Sequence, residues 1–218
     1  HCVTEDELHF FDGVQGKRML EVGCGSGHSL VWQAKHGAGE LWGLDISESQ
    51  LRNASRWLAE NGVEAHLVCS PMEEPCGIPE GYFDYVYSIY ALGWSTDLPC
   101  TFRRLAAYLK PGGTLIFSWN HPLYGRAGCV HVRDGRLVFD KSYFDRCDTE
   151  FTFDDGVLYL RNYSISDYVN ALADAGFAIE RLVEQTDAKT LAASGDLTDK
   201  MRQAQMHPLS FVFKARKL

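Results

Sequence analysis

This 218-residue sequence lacks the features that direct a protein to a membrane or to nucleic acid. It contains no uncharged apolar run of about 18 residues or more, so we expect no membrane-spanning helix. Positive charge is scarce, because 21 lysines and arginines stand against 29 acidic residues and no Lys/Arg-rich run is present. An acidic surface repels a phosphate backbone, so we expect no nucleic-acid partner.

Also missing is any C-x-x-C pair, although the sequence has 7 cysteines. An odd cysteine count without that spacing argues against a disulfide framework and a structural zinc ribbon. Cys24, Cys69, Cys76 and Cys100 lie in or beside apolar runs and are predicted to be small core residues. Cysteines that form no disulfides are typical of a reducing compartment, so we expect a cytoplasmic protein. No signal peptide is recognisable, and the start at His1, without an initiator methionine, leaves open whether a segment precedes it.

One glycine-rich stretch organises the rest of the sequence. Met19–Val22 is predicted to be a buried strand, Gly23, Gly25 and Gly27 follow at once, and residues 29–36 have a helical pattern. Strand, glycine turn and helix form the first half of a βαβ unit. Glycine lets the backbone turn sharply and approach a ligand without a Cβ, and the helix start offers free N–H groups.

The glycine spacing distinguishes between ligands. A dinucleotide fingerprint, G-x-G-x-x-G, would need a third glycine at position 28, where His28 stands. Instead the third glycine is Gly27, and an acid, Glu21, precedes the loop. This E-x-G-x-G-x-G arrangement resembles motif I of the class I S-adenosylmethionine (SAM)-dependent methyltransferases. The resemblance implies that the methionine end of SAM is held by Glu21 and by four residues of the loop: Gly23, Cys24, Gly25 and Gly27.

An acid also ends the second predicted strand, Leu41–Asp45. A carboxylate there can accept hydrogen bonds from both hydroxyls of a ribose, which suits SAM or NAD. The alternative is that Asp45 only caps the next helix, which opens with the S-x-x-Q capping box at residues 47–50. Ile46, directly after the acid, is assigned to the cofactor site with it.

Two further segments complete the predicted cofactor site. The third strand, Val63–Cys69, is followed by residues that the resemblance places beside the adenine: Ser70, Pro71 and Met72. Met72 is either an apolar contact or a gap-filling core residue. The fourth strand, Tyr82–Ser88, carries an F-D-x-V-x-S pattern that resembles motif IV of the small-molecule enzymes and adds Ser88 and Ile89. Gly93-Trp94 stands where such enzymes often carry a histidine before an aromatic residue.

The pattern L-K-P-G-G-x-L-x-F at residues 109–117 resembles the segment that enters the fifth strand in this family. Residues 110–113 are predicted to form a hairpin-like turn. The resemblance covers residues 15–183 and implies an α/β, doubly wound, Rossmann-like sheet of seven mostly parallel strands. The last strand, Leu209–Lys214, joins the sixth without a crossover helix and should run antiparallel. We expect one domain, 1–218, with a β-hairpin insertion after strand 5.

The insertion, residues 120–163, contains two predicted hairpins with turns at Asp134-Gly135 and Asp155-Gly156. Ligands bind beyond the carboxyl ends of the strands in such sheets, so the insertion is placed to cover a substrate pocket. Dimerisation is the alternative. Five aromatic residues are candidates for the pocket wall, although each is also a candidate core residue: Tyr90, Trp94, Trp119, Tyr124 and Tyr143.

His121 is the candidate catalytic base, because it follows the fifth strand and titrates near neutrality. The alternative is that His121 has a structural role, as a hydrogen-bonded residue at the hinge of the insertion. Methyl transfer from a sulfonium needs alignment of the reacting atoms and exclusion of water. It needs no acid to expel the leaving group, because that group is neutral. A metal cluster of His121, Cys129, His131 and Cys147 matches no standard zinc spacing, so no metal is expected.

The resemblance implies a SAM-dependent methyltransferase that acts on a small-molecule acceptor and yields S-adenosylhomocysteine (SAH). Two alternatives stay open: an NAD-dependent oxidoreductase, and a SAM-binding domain that has lost catalysis. The sequence identifies neither the acceptor nor the atom that is methylated, and it leaves monomer and homodimer open.

Overall fold

A computed structural model of the chain describes residues 3–125, 127–145, 148–153 and 156–218. Its centre is a seven-stranded sheet whose strands, in spatial order, are β10 (Phe177–Val183), β11 (Ser210–Lys217), β5 (Leu109–Asn120), β4 (Phe83–Ile89), β1 (Arg18–Val22), β2 (Glu40–Asp45) and β3 (His66–Cys69). Strand β11 pairs antiparallel with both neighbours, and the other pairs are parallel. The predicted fold class is therefore confirmed.

Helices cover both faces of this sheet. They are α1 (Glu5–Leu8), α2 (His28–Lys35), α3 (Glu48–Glu60), α4 (Leu98–Tyr108), α5 (Ile165–Asp174), α6 (Ala188–Ala192) and α7 (Asp199–Met206). Alternate residues of β1 enter opposite cores, because side chains alternate across a strand. Met19 packs with Leu30 and Leu51 of α2 and α3, whereas Leu20 packs with Phe102 of α4.

The predicted helix start at Ser47 and the start of α4 are both hydrogen-bonded caps. The Ser47 hydroxyl accepts the Gln50 N–H, and the Asp97 carboxylate accepts the Cys100 N–H. Such caps satisfy backbone donors that a helix start leaves unpaired. Within the described ranges, no helix is long and apolar enough to cross a bilayer.

Three local predictions are wrong. Residues 110–113 do not form a turn but lie within β5, where Phe83 faces Leu109 and Tyr85 faces Thr114. The extra residues of β5 bulge there, which glycine tolerates. Residues 187–207 are polar and poorly periodic, which predicts a loop with one short helix, but they contain two helices, α6 and α7. Cys69 is exposed, because β3 is an edge strand and covers little of the core.

The insertion contains the two expected hairpins, as two separate two-stranded sheets: β6 (Val130–Arg133) with β7 (Arg136–Phe139), and β8 (Asp148–Phe153) with β9 (Gly156–Arg161). The first turns through Asp134 and Gly135, both with positive φ, as a two-residue hairpin turn requires. Asp155, in the second predicted turn, lies outside the described residues. Phe151 and Leu160 pack against the core, so the second hairpin is anchored to the domain.

Candidate functional site

The glycine loop lies at the carboxyl end of β1, between β2 and the start of α2. The N–H groups of Gly23 and Cys24 both donate to the Leu44 carbonyl of β2, at 2.7 and 3.0 Å. Gly23, Gly25 and Gly27 have φ values of 73°, 50° and 76°, a region that residues with a Cβ rarely adopt. Glycine adopts these conformations freely, whereas any other residue at these positions would be strained.

Two of these glycines serve different purposes. A Cβ on Gly23 would lie 2.1 Å from the Cβ of Ala91, so Gly23 is required by packing within the protein. A Cβ on Gly25 would meet no heavy atom within 4 Å. The loop thus presents bare backbone to open space at Gly25, which is what a closely approaching ligand needs.

Asp45 joins this loop to the next helix. Its Oδ2 accepts the Gly25 N–H at 2.8 Å, and its Oδ1 accepts the Ser47 N–H at 2.9 Å. The cap of α3 is Ser47, so Asp45 bonds the residue that caps the helix and is not the cap itself. A carboxylate has about four lone-pair directions, so the half-buried Asp45 keeps acceptor capacity for a ribose diol. Ile46, beside it, is 60% exposed.

Glu21 lies beneath the loop and is only 2% exposed. The Tyr87 hydroxyl donates to its Oε2 at 3.4 Å, and the Ser29 hydroxyl also bonds to the carboxyl. Burial raises the pKa of Glu21 to about 8, and the nearby Asp45 also acts to raise it. Burial therefore favours the protonated form of this acid, which the sequence pattern did not reveal.

The remaining predicted cofactor residues differ in how exposed they are and in what they contact. Ile89 is 40% exposed, so with Ile46 it presents apolar surface at the carboxyl edge. Met72 packs against the main core cluster, which favours its gap-filling interpretation. Ser88 is fully buried, and its hydroxyl has no hydrogen-bond partner among the described residues. Ser70 lies next to Asp45, whose carbonyl accepts the Ser70 N–H, and the Ser70 hydroxyl bonds to the Pro71 carbonyl.

Three of the five predicted aromatic residues come together. The Trp119 ring lies 5.8 Å from Trp94 and 6.3 Å from Tyr90, measured between ring centroids. Phe151, which the sequence analysis missed, packs edge-to-face on Trp94 at 5.5 Å. Its signal was the alternation along β8, in which it faces inward. We call these four residues the aromatic cluster.

The aromatic cluster depends on Gly93. A Cβ there would lie 1.8 Å from the Trp119 ring, so the indole occupies the space that any side chain at position 93 would need. Tyr90 has a φ of 55°, an unusual conformation for a bulky residue. Such strain is often found at functional sites.

The other two aromatic residues lie elsewhere in the insertion. Tyr143 packs edge-to-face on Phe144, and the Tyr124 N–H donates to the His121 carbonyl. In the part of the chain that the structure describes, no ring contact joins either residue to the aromatic cluster.

His121 is 6% exposed, and protein groups bind both of its ring nitrogens. Nε2 lies 2.8 Å from Oε1 of Glu184, and Nδ1 accepts the Leu123 N–H at 3.2 Å. Nε2 therefore carries the proton, and the lone pair that a base needs is already used. Burial lowers the pKa of His121, although Glu184 opposes this. The geometry favours the hinge alternative, and the base remains a prediction.

No metal centre is formed by the described residues, among which no group of three or more His, Cys, Asp or Glu side chains could hold an ion. His131 instead pairs with Asp140 at 2.7 Å. Cys147, from the cluster weighed in the sequence analysis, lies outside the described residues.

Comparison with known proteins gives a family for the first half of the chain. Residues 19–113 match the model of a methyltransferase domain. An uncharacterised protein from Haemophilus influenzae is 32% identical over 53% of this chain and 47% of its own length. A ubiquinone biosynthesis O-methyltransferase from Bordetella avium is 35% identical over 48% of this chain and 43% of its own length. The matches thus span less than half of each relative.

Similarity in structure extends over nearly the whole chain. The crystal structure of a SAM-dependent methyltransferase from Mesorhizobium loti superposes with a TM-score of 0.78 and 27% identity. The superposition covers 96% of this chain and 95% of that one. Residues 19–113 therefore match a methyltransferase domain, and the chain as a whole is similar in fold to this SAM-dependent methyltransferase.

Proposed function

We propose that the protein transfers a methyl group from SAM to a small-molecule acceptor. The observation that carries this proposal is the bare backbone at Gly25, open to solvent and bordered by Asp45 and the exposed Ile46. An NAD-dependent oxidoreductase is disfavoured, because His28 stands where the dinucleotide fingerprint needs its third glycine.

In this proposal different residues in and around the loop bind the three parts of the cofactor. Glu21 and the backbone of residues 23–27 hold the amino-acid end, while Asp45 accepts the ribose hydroxyls. Ile46 and Ile89 offer apolar surface to the adenine. The bound cofactor supplies an electrophilic methyl group, and the chain contributes alignment and exclusion of water.

The acceptor would bind against the aromatic cluster, beyond the carboxyl ends of β4 and β5. Phe151 of the insertion packs on Trp94 of the 3₁₀ turn Leu92–Trp94, and this contact supports a covering role for the insertion, residues 120–163. Aromatic walls suit a largely apolar or ring-containing molecule. A small-molecule acceptor also agrees with the O-methyltransferase named among the relatives.

We further propose that His121 positions the insertion and does not abstract a proton. Its hydrogen bond to Glu184 connects the end of β5 to the residue after β10, and its bond to Leu123 is local to the start of the insertion. Catalysis then rests on alignment, and the acceptor atom must be nucleophilic without help from this residue.

The proposal is tested by calorimetry with SAH and with NAD on two matched glycine variants. Gly25→Val should abolish SAH binding, because the new side chain fills the space of the cofactor. Gly62→Val is the control: Gly62 also has a positive φ, of 65°, and a Cβ there would meet no heavy atom within 4 Å, but it lies at the end of α3. Normal SAH affinity in Gly25→Val would refute the site.

Transfer of a labelled methyl group from SAM to a panel of phenols, amines, thiols and carboxylates separates the enzyme from an inactive binding domain. Turnover on one class identifies the acceptor chemistry. Tight SAH binding without turnover on any of them would support the binding-domain alternative.

A further inference from the structure

Glu21 is surrounded by groups that cannot neutralise a negative charge. Strand β4 contributes Tyr87, and α2 contributes Ser29. The loop contributes the Cys24 thiol, which carries no positive charge, and β2 contributes Asp45, which disfavours a negative charge on Glu21. None of these four neighbours is a cation.

A buried carboxylate without a cation is costly, so such a group normally keeps its proton. The pKa of Glu21, raised by burial to about 8, agrees with this geometry. Burial likewise raises the pKa values of Tyr87 and Cys24, so these neighbours stay neutral as well. The site beneath the loop is thus nearly uncharged in the cofactor-free protein, apart from Asp45.

The amino-acid end of SAM and of SAH carries an α-ammonium group. The proposed function places that end at the glycine loop, next to Glu21. An ammonium group there is the missing counter-charge, and it favours the ionised carboxyl.

We propose that Glu21 is a neutral acid in the cofactor-free protein and ionises when the α-ammonium group of SAM or SAH binds beside it. One proton then passes from the Glu21 carboxyl to solvent, and an ammonium–carboxylate pair forms. This inference rests on the proposed function, and it adds that cofactor affinity depends on pH.

The proton balance can be measured directly. Titrating SAH into the protein at about pH 7, in buffers of different ionisation enthalpy, should give a release approaching one proton per SAH bound. The control ligand is 5′-methylthioadenosine, which shares the nucleoside but lacks the amino-acid end. It should bind without releasing a proton, whatever its affinity.

The same coupling predicts the pH dependence of affinity. SAH affinity should rise about tenfold per pH unit between about pH 6 and pH 7.5, since each unit favours loss of the proton. The affinity for 5′-methylthioadenosine should stay flat over that range. Glu21→Gln keeps the shape of the neutral acid, so it should bind SAH more weakly at pH 7.5 and without proton release.

The outcomes separate this inference from the proposed function. SAH binding with no proton release, or with the same release from Glu21→Gln as from the parent, overturns the role of Glu21 and leaves the methyltransferase site intact. A parent protein that binds no SAH overturns both. The comparison of the two ligands on the parent protein decides the matter even if Glu21→Gln fails to fold.

Discussion

Replacing Glu21 by glutamine should change how the stability of the cofactor-free protein depends on pH. Folding raises the pKa of this carboxyl from 4.5 to about 8, so the folded state binds the proton more tightly than the unfolded state. The stability that this proton contributes is fully present below about pH 4.5 and is lost as the pH rises towards 8. Because glutamine does not titrate, Glu21→Gln should lose no stability over this range from that source.

The magnitude follows from the size of the shift. One pKa unit corresponds to about 1.4 kcal/mol, so the free energy of unfolding should fall by about 1.4 kcal/mol per pH unit between about pH 5 and pH 7.5. Over the whole interval the loss is roughly 3–5 kcal/mol, a large part of the usual stability of a domain. Saturating SAH should reduce this slope, because the ammonium group compensates the charge.

Urea unfolding at half-unit pH steps measures this dependence, on the parent and on Glu21→Gln. All other titratable groups are the same in both proteins, so the difference between the two curves isolates Glu21. Glu48→Gln is the matched control, since its side chain is 80% exposed and should leave the parent slope unchanged. Parallel curves for the parent and Glu21→Gln would refute the neutral buried acid.

Further predictions concern the other parts of the site. Asp45→Ala should reduce SAH affinity by about 1.5–3 kcal/mol in calorimetry, through loss of charge-assisted bonds to the ribose; unchanged affinity would leave Asp45 only its structural bonds to the Gly25 and Ser47 N–H groups. Gly93→Ala should destabilise the parent by about 1–3 kcal/mol in urea unfolding but cost much less in a Trp119→Ala background, because the indole occupies the space of the new methyl group. His121→Ala should lower the melting temperature while leaving SAH affinity nearly intact, and His121→Asn should restore both stability and single-turnover rate. A rate roughly 10²-fold lower in His121→Asn at the parent melting temperature would instead identify the histidine as the base.

Much of the fold and part of the candidate site could be predicted because their signals are local. The turn at Gly23–Gly27 needs glycine conformations, and the helix after it must begin there. Caps such as Ser47 bond to a backbone group three residues away. The Asp134-Gly135 turn determines the pairing of β6 with β7. Each of these depends on atoms within a few residues, so the sequence alone specifies it.

The charge state of Glu21, the environment of His121 and the composition of the aromatic cluster were decided by tertiary structure. Tyr87 lies 66 residues from Glu21, and Glu184 lies 63 residues from His121. Phe151 reaches Trp94 only because the second hairpin folds back onto the domain. The sequence by itself identified the glycine turn after β1, the Ser47 cap and the turn of the first hairpin. Burial, and with it the proton on Glu21 and the occupied lone pair on His121, arises only when distant strands and helices exclude water from the same place.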